Sequence, residues 1–132
     1  MKNLGKTISS IAKKLDSMEK RQDEVIVLSR GLIRDCANAI RHLHTGDLKE
    51  ARALVREIDG KAKKLSEIKQ GFEGTASQAF QEYIEIKSLL AILENESLPD
   101  FGKLGVDYRQ FLSGLADVVG ELRRAMLIAL KH

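Results

Sequence analysis

The chain has 132 residues, 43% of them hydrophobic and 31% charged, which makes one domain's worth of globular protein and excludes a disordered polypeptide. One cysteine, Cys36, excludes an internal disulfide and points to a reducing compartment. No apolar leader follows Met1, and no charge-free run approaches the roughly 18 to 20 apolar residues of a membrane span. The expectation is a cytoplasmic protein without membrane contact, whose net charge of +3 permits a nucleic-acid partner without requiring one.

The first segment, about Leu4 to His44, keeps a heptad. One seam line is Ile8, Leu15, Gln22, Ser29, Cys36 and Leu43; the other is Leu4, Ile11, Met18, Val25, Leu32 and Ala39. Such a pattern without a breaker predicts one long helix packed on a neighbour, with Gln22 and Ser29 weakening the middle of the seam. In "HTGDLKEA", Gly46 ends this helix and Asp47 caps the next. The second helix runs from about Leu48 to Ile68, with Gly60 inside it as a weak point. "QGFEGTASQ" is the second break, and Thr75 or Ser77 is the expected cap of a third helix from about Ala76 to Leu93. The longest connection, "ENESLPDFGKLGVD", holds the only proline. A last helix starts near Asp107, its expected N-cap. No strand alternation, hairpin signal, repeat or low-complexity tract appears. The predicted fold is a single all-α domain over 1–132, an antiparallel bundle of four main helices.

Two helices carry acids on faces that otherwise read as inward. In "FQEYIEIKSLLAIL", Glu82 and Glu85 share a stripe with Leu89, Ile92 and Leu93, while Tyr83, Lys87 and Glu94 lie opposite. The last helix has a plain apolar face of Leu112, Leu115, Val119, Leu122 and Met126. Asp117 and Glu121 lie on its other side, in line with Gly114, Ala125 and Ile128. A helix hydrophobic nearly all round is expected to be buried. Four acids on inward faces need compensation, by protonation, by paired Arg or Lys, or by a divalent cation. Oxygen ligands on rigid helices suit Mg²⁺, Mn²⁺ or Ca²⁺. The plainer alternatives are a solvated E-x-x-E face, and Asp117 and Glu121 pairing with Arg124.

"FQEYIEIK" and "VDYRQFLSGLADVVGELRR" resemble the two signature helices of the translin family, and more closely those of its catalytic branch, translin-associated factor X. "VLSRGLIRDCANAIRHLH" is similar to the family's first-helix pattern, K-L-S-R-D-I-T-x-E-x-K-R-x-I-x-x-L-H, and "GLADVVGELRR" is the most specific element. The resemblance covers about residues 22 to 131. It implies a translin-type helical fold that assembles as a hollow homo-oligomer, with eight subunits in the best-known form, and a translin-like paralogue as a further partner. It also implies a Mg²⁺-dependent endoribonuclease acting on single-stranded or duplex RNA, with single-stranded DNA as a related ligand. Mn²⁺ is the substitute cation. The catalytic and metal-binding residues it implies are Glu82, Glu85, Asp117 and Glu121, and no serine or cysteine nucleophile is needed. The translin branch, which lacks these acids, supplies the alternative of a non-catalytic single-stranded nucleic-acid binder. This chain departs from the family where Ala37 and Asn38 replace a Lys-Arg pair. The family also continues past the position of His132 with further helices.

Arg30, Arg34 and Arg41 fall on one stripe of the first helix, opposite the seam. They are the expected RNA-backbone contacts, with a solvated basic face as the plain alternative; Arg30 matches the family's L-S-R. Tyr83 and Tyr108 are candidates for base stacking or for packing.

Overall fold

A computed structural model describes residues 1–131. The chain forms α1 (Leu4–His44), α2 (Leu48–Ile68), α3 (Glu73–Leu93), a 3₁₀ turn at Gly102–Leu104, and α4 (Tyr108–Lys131). The all-α class and the long first helix are as expected. None of the described helices is long and apolar enough to cross a membrane.

Local chemistry sets the boundaries. Gly46 takes a left-handed φ of 81° after α1, which lets the Asp47 amide donate to the His42 carbonyl and close the helix end. Asp47 then caps α2 by accepting the Glu50 amide at 3.2 Å. α2 runs unbroken through Gly60. α3 begins earlier than expected, at Glu73, and neither Thr75 nor Ser77 caps it. The carboxylate of Glu73 accepts the Gly71 amide at 3.1 Å, so a glutamate in the first turn replaces the expected hydroxyl cap. Asp107 caps α4 as expected. It accepts the Arg109 amide at 3.0 Å, while Gln110 reaches back to the Asp107 amide at 2.8 Å.

The helix directions are mixed. Arg52 pairs with Glu94, Asp59 meets Tyr83 and Lys87, and Lys69 lies over Phe80, so α2 runs antiparallel to α3. Arg21 over Phe72 at one end, with Ile40 beside Glu85 further along, makes α1 parallel to α3. Gln110 bonds Ser77 and Asp117 bonds Gln81, so α4 is also parallel to α3. The connection over 94–107 makes this possible by carrying the chain back along the bundle. Phe101 pins it, buried edge-on against Tyr83 with ring centroids 6.0 Å apart. The antiparallel arrangement expected for the whole bundle therefore holds for α2 alone.

The core is built by α1, α2 and α3 around Leu32, Cys36, Ile58, Leu65, Ile84 and Leu89, all fully buried. Three expectations about packing are corrected. The α1 seam is covered only from Val25 onward, because the α2–α3 turn reaches no further than Arg21, which donates to the Gln70 carbonyl. Leu4, Ile8, Ile11, Leu15 and Met18 stay 44–58% exposed. On α4, only Gly114 and Val118 are buried. Three residues of its expected apolar face, Leu112, Val119 and Met126, look outward and are more than half exposed, while Leu115 is half-buried and Leu122 packs against the core. The far end of the α3 stripe, Ile92 and Leu93, is exposed as well.

Gly114 explains the rotation of α4. A Cβ there would lie 2.8 Å from Ile84 Cγ2 and 3.0 Å from the Gln81 carbonyl. α4 approaches α3 along its glycine and turns its bulky side away. Gly114→Ala is expected to force the two helices apart and lower stability by about 1–3 kcal/mol. Gly120 has open space around it, so Gly120→Ala should raise stability by up to about 1 kcal/mol through helix propensity. Urea melts of both variants check the pair, and equal effects would contradict the packing account.

Candidate acidic cleft

The four acids singled out in the sequence line one cleft of about 690 Å³. Glu82 and Glu85 come from α3, and Asp117 and Glu121 from α4. The end of α1 supplies Ala37, Ile40, Arg41 and His44 as the third wall. Gly120 and Arg124 complete the α4 side. Parallel helices in this register place the two acid pairs side by side along the cleft.

Their environments differ. Glu85 is buried, Glu82 and Glu121 are partly buried, and Asp117 is exposed. Burial pushes the Glu85 carboxyl from 4.5 up to about 8, assisted by the negative charges of Glu82, Asp117 and Glu121. Glu82 accepts from Gln78 Nε2 at 2.8 Å, and Asp117 accepts from Gln81 Nε2 at 2.9 Å. Glu121 Oε2 lies 2.5 Å from His44 Nε2. Among the described residues no Arg or Lys forms an ion pair with any of the four acids. Arg124 lines the cleft, but the partner of Glu121 is His44.

The donor set is rich in carboxylate oxygen and poor in positive charge, which is chemistry suited to a hard divalent cation. The acids are nevertheless spread along the cleft. Among the described residues no three His, Cys, Asp or Glu side chains stand close enough to hold a metal ion as they are. Side-chain rotation toward a common point would have to accompany binding.

The remaining candidates divide. Arg41 is exposed on the wall of the acidic cleft. Arg34 lines a separate groove between α1 and α2 with Lys61 and Lys64, and exposed Arg30 borders neither. Tyr83 is buried and donates to Asp59 at 2.7 Å, so its ring is core and not a stacking platform. Tyr108 is 67% exposed, with the Arg109 guanidinium 5.6 Å from its ring centre. Cys36 is fully buried, and desolvation together with the nearby acids holds its thiol well above the usual range. It is no nucleophile.

Sequence reasoning missed His44, Gln78 and Gln81. Gln78 stands one turn before Glu82, a spacing that can flag side-chain support on a helix, whereas Gln81 bonds Asp117 across to α4 and carries no local signal. His44 closes the "RHLH" end of the first-helix pattern, its one available signal.

No protein-family model matches the chain. It is 38% identical over 122 residues to the uncharacterized protein MJ0175 of Methanocaldococcus jannaschii, covering 89% of this chain and 55% of that protein. The chain thus spans about half the length of that relative. Its structure is similar to the crystal structure of apo-NeC3PO, with a TM-score of 0.83 and 23% sequence identity over 94% of this chain and 69% of the other. The bundle has the translin-type fold.

Proposed function

We propose that this chain carries the active site of a Mg²⁺-dependent endoribonuclease of the translin-associated factor X kind. The observation that carries the reading is the convergence of Glu82, Glu85, Asp117 and Glu121 on one cleft without an Arg or Lys ion pair among the described residues. These four residues would hold Mg²⁺, or Mn²⁺ in its place. A cation held there would supply Lewis-acid activation of a water and would offset charge on the scissile phosphate. The chain's own groups do the rest. Gln78 and Gln81 orient Glu82 and Asp117, and burial beside the other acids raises the Glu85 carboxyl. Arg41 and Arg124, on the rim, are placed to meet the RNA backbone. The exposed seam from Leu4 to Met18 and the outward face of α4 support assembly into a homo-oligomeric shell. The open spacing of the acids favours a second reading, a non-catalytic binder of single-stranded RNA or DNA.

Labelled single-stranded RNA should be cleaved with Mg²⁺ and left intact with EDTA. Glu85→Ala and Glu121→Ala should each lower the rate on the order of 100-fold or more while keeping the helical circular-dichroism signal. Full activity in both variants would sink the proposal, and salt-sensitive binding without turnover would select the second reading.

A pH dependence follows from Glu85. Its folded-state pKa is raised, so the stability it contributes is present below about 4.5 and is lost as pH rises through about 8. In EDTA the melting temperature should fall over that window, and Mg²⁺ or Mn²⁺ should restore it at pH 8. Glu85→Gln should flatten the curve. No response of the parent protein to either cation at pH 8 would count against the site.

Replacing Ile8 and Leu15 together by lysine should reduce the particle mass seen by light scattering without loss of helicity. An unchanged mass would remove the α1 seam from the assembly.

A further inference from the structure

His44 stands in the last turn of α1, and its side chain is only 6% exposed. Its Nε2 lies 2.5 Å from Oε2 of Glu121, across 77 residues of sequence. Among the described residues this is the one side-chain hydrogen bond that joins α1 to α4. The backbone behind it is fixed, because left-handed Gly46 lets the Gly46 and Asp47 amides close onto the carbonyls of Leu43 and His42. An imidazole N–H held by a closed helix end is a stiffer donor than a side chain on an open turn.

Glu121 has two carboxylate oxygens and no Arg or Lys partner among the described residues. We propose that His44 is a positioning residue for the acidic cleft. Its Nε2–H donates to Glu121 Oε2, selects one rotamer of that glutamate and leaves Oε1 as the free donor atom. Gln78 and Gln81 do the same for Glu82 and Asp117 from within α3 or across to α4, so His44 brings the third helix into the arrangement. Groups that hydrogen-bond a metal ligand typically change metal affinity 10- to 100-fold when removed. The inference rests on the divalent-cation reading of the cleft, and its readout is cation affinity, not turnover.

The test is a set of thermal melts of the whole chain with increasing MnCl2 or MgCl2 at fixed pH, each read as the cation concentration that gives half the stabilisation. For His44→Ala and His44→Asn this midpoint should rise about 10-fold or more relative to the parent protein. His44→Gln should stay within about 3-fold of the parent, because a glutamine amide reaches the place of Nε2 whereas an asparagine amide falls short at the place of Nδ1. A packing role would lower the melting temperature in EDTA and leave the midpoint where it was. If His44→Ala fails to fold, the contrast between Gln and Asn still decides. An unmoved midpoint in the Ala and Asn variants, or equal midpoints in the Gln and Asn variants, would overturn the role of His44 and leave the cation reading standing. A parent protein that shows no cation-dependent stabilisation would overturn both.

Discussion

The contact of Gly114 with Ile84 and the Gln81 carbonyl is what the site depends on. Helices normally pack 8–10 Å apart on interlocking side chains. A glycine at the crossing point removes one set of side chains and lets α4 settle on α3 by its backbone. Once that line faces inward, Glu121 follows one side of the contact and Asp117 stands beside it. The same rotation leaves Leu112, Val119 and Met126 facing outward. One missing Cβ therefore sets both the cleft-lining acids and the outward Leu112, Val119 and Met126.

The rest of α3 shows how an acid-bearing helix is kept in place. Its far side is tied to α2 by ordinary attractive pairs. Tyr83 donates to Asp59, and the Lys87 ammonium lies 3.1 Å from the same carboxylate. Glu94 takes Arg52 at the helix end. Its inner flank is apolar, with Ile84, Ile86 and Leu89 fully buried. Opposing these is the cost of Glu85, desolvated beside three like charges. The unfavourable electrostatics are confined to one wall of one cleft, and hydrophobic burial on the other sides of α3 opposes them.

Much of this was legible in the sequence because it is local. Heptad spacing and the absence of breakers marked α1 end to end, and Asp47 and Asp107 announced their helices through capping chemistry. The acids were visible because glutamate at a core-facing phase conflicts with helix periodicity. What was not legible depends on contacts between segments far apart in the chain. The direction of α4 is fixed by the crossover through Phe101, which periodicity does not encode. The outward turn of Leu112, Val119 and Met126 could not be read from α4 alone, since two of its faces are apolar and a glycine decides between them. The limit of seam coverage at Arg21 depends on where the α2–α3 turn ends. His44 is separated from Glu121 by two helices, α2 and α3, and belongs to no spacing rule. The start of α3 was misplaced because a glutamate stood in for the usual hydroxyl cap.

The core belongs almost wholly to α1, α2 and α3, and α4 adds only Gly114 and Val118 to the buried set. Local opening in proteins follows such differences in buried contact. Apart from the uncovered start of α1, α4 is therefore the part held most loosely, and it carries half of the acids. Within the core, α1 packs on its neighbour α2, and α3 docks chiefly on α1. The bond between His44 and Glu121 closes a loop of 77 residues and comes late in folding. The cleft exists only where α4 has docked on α1 and α3. Whatever binds both of its walls acts as a clasp on the last helix to dock.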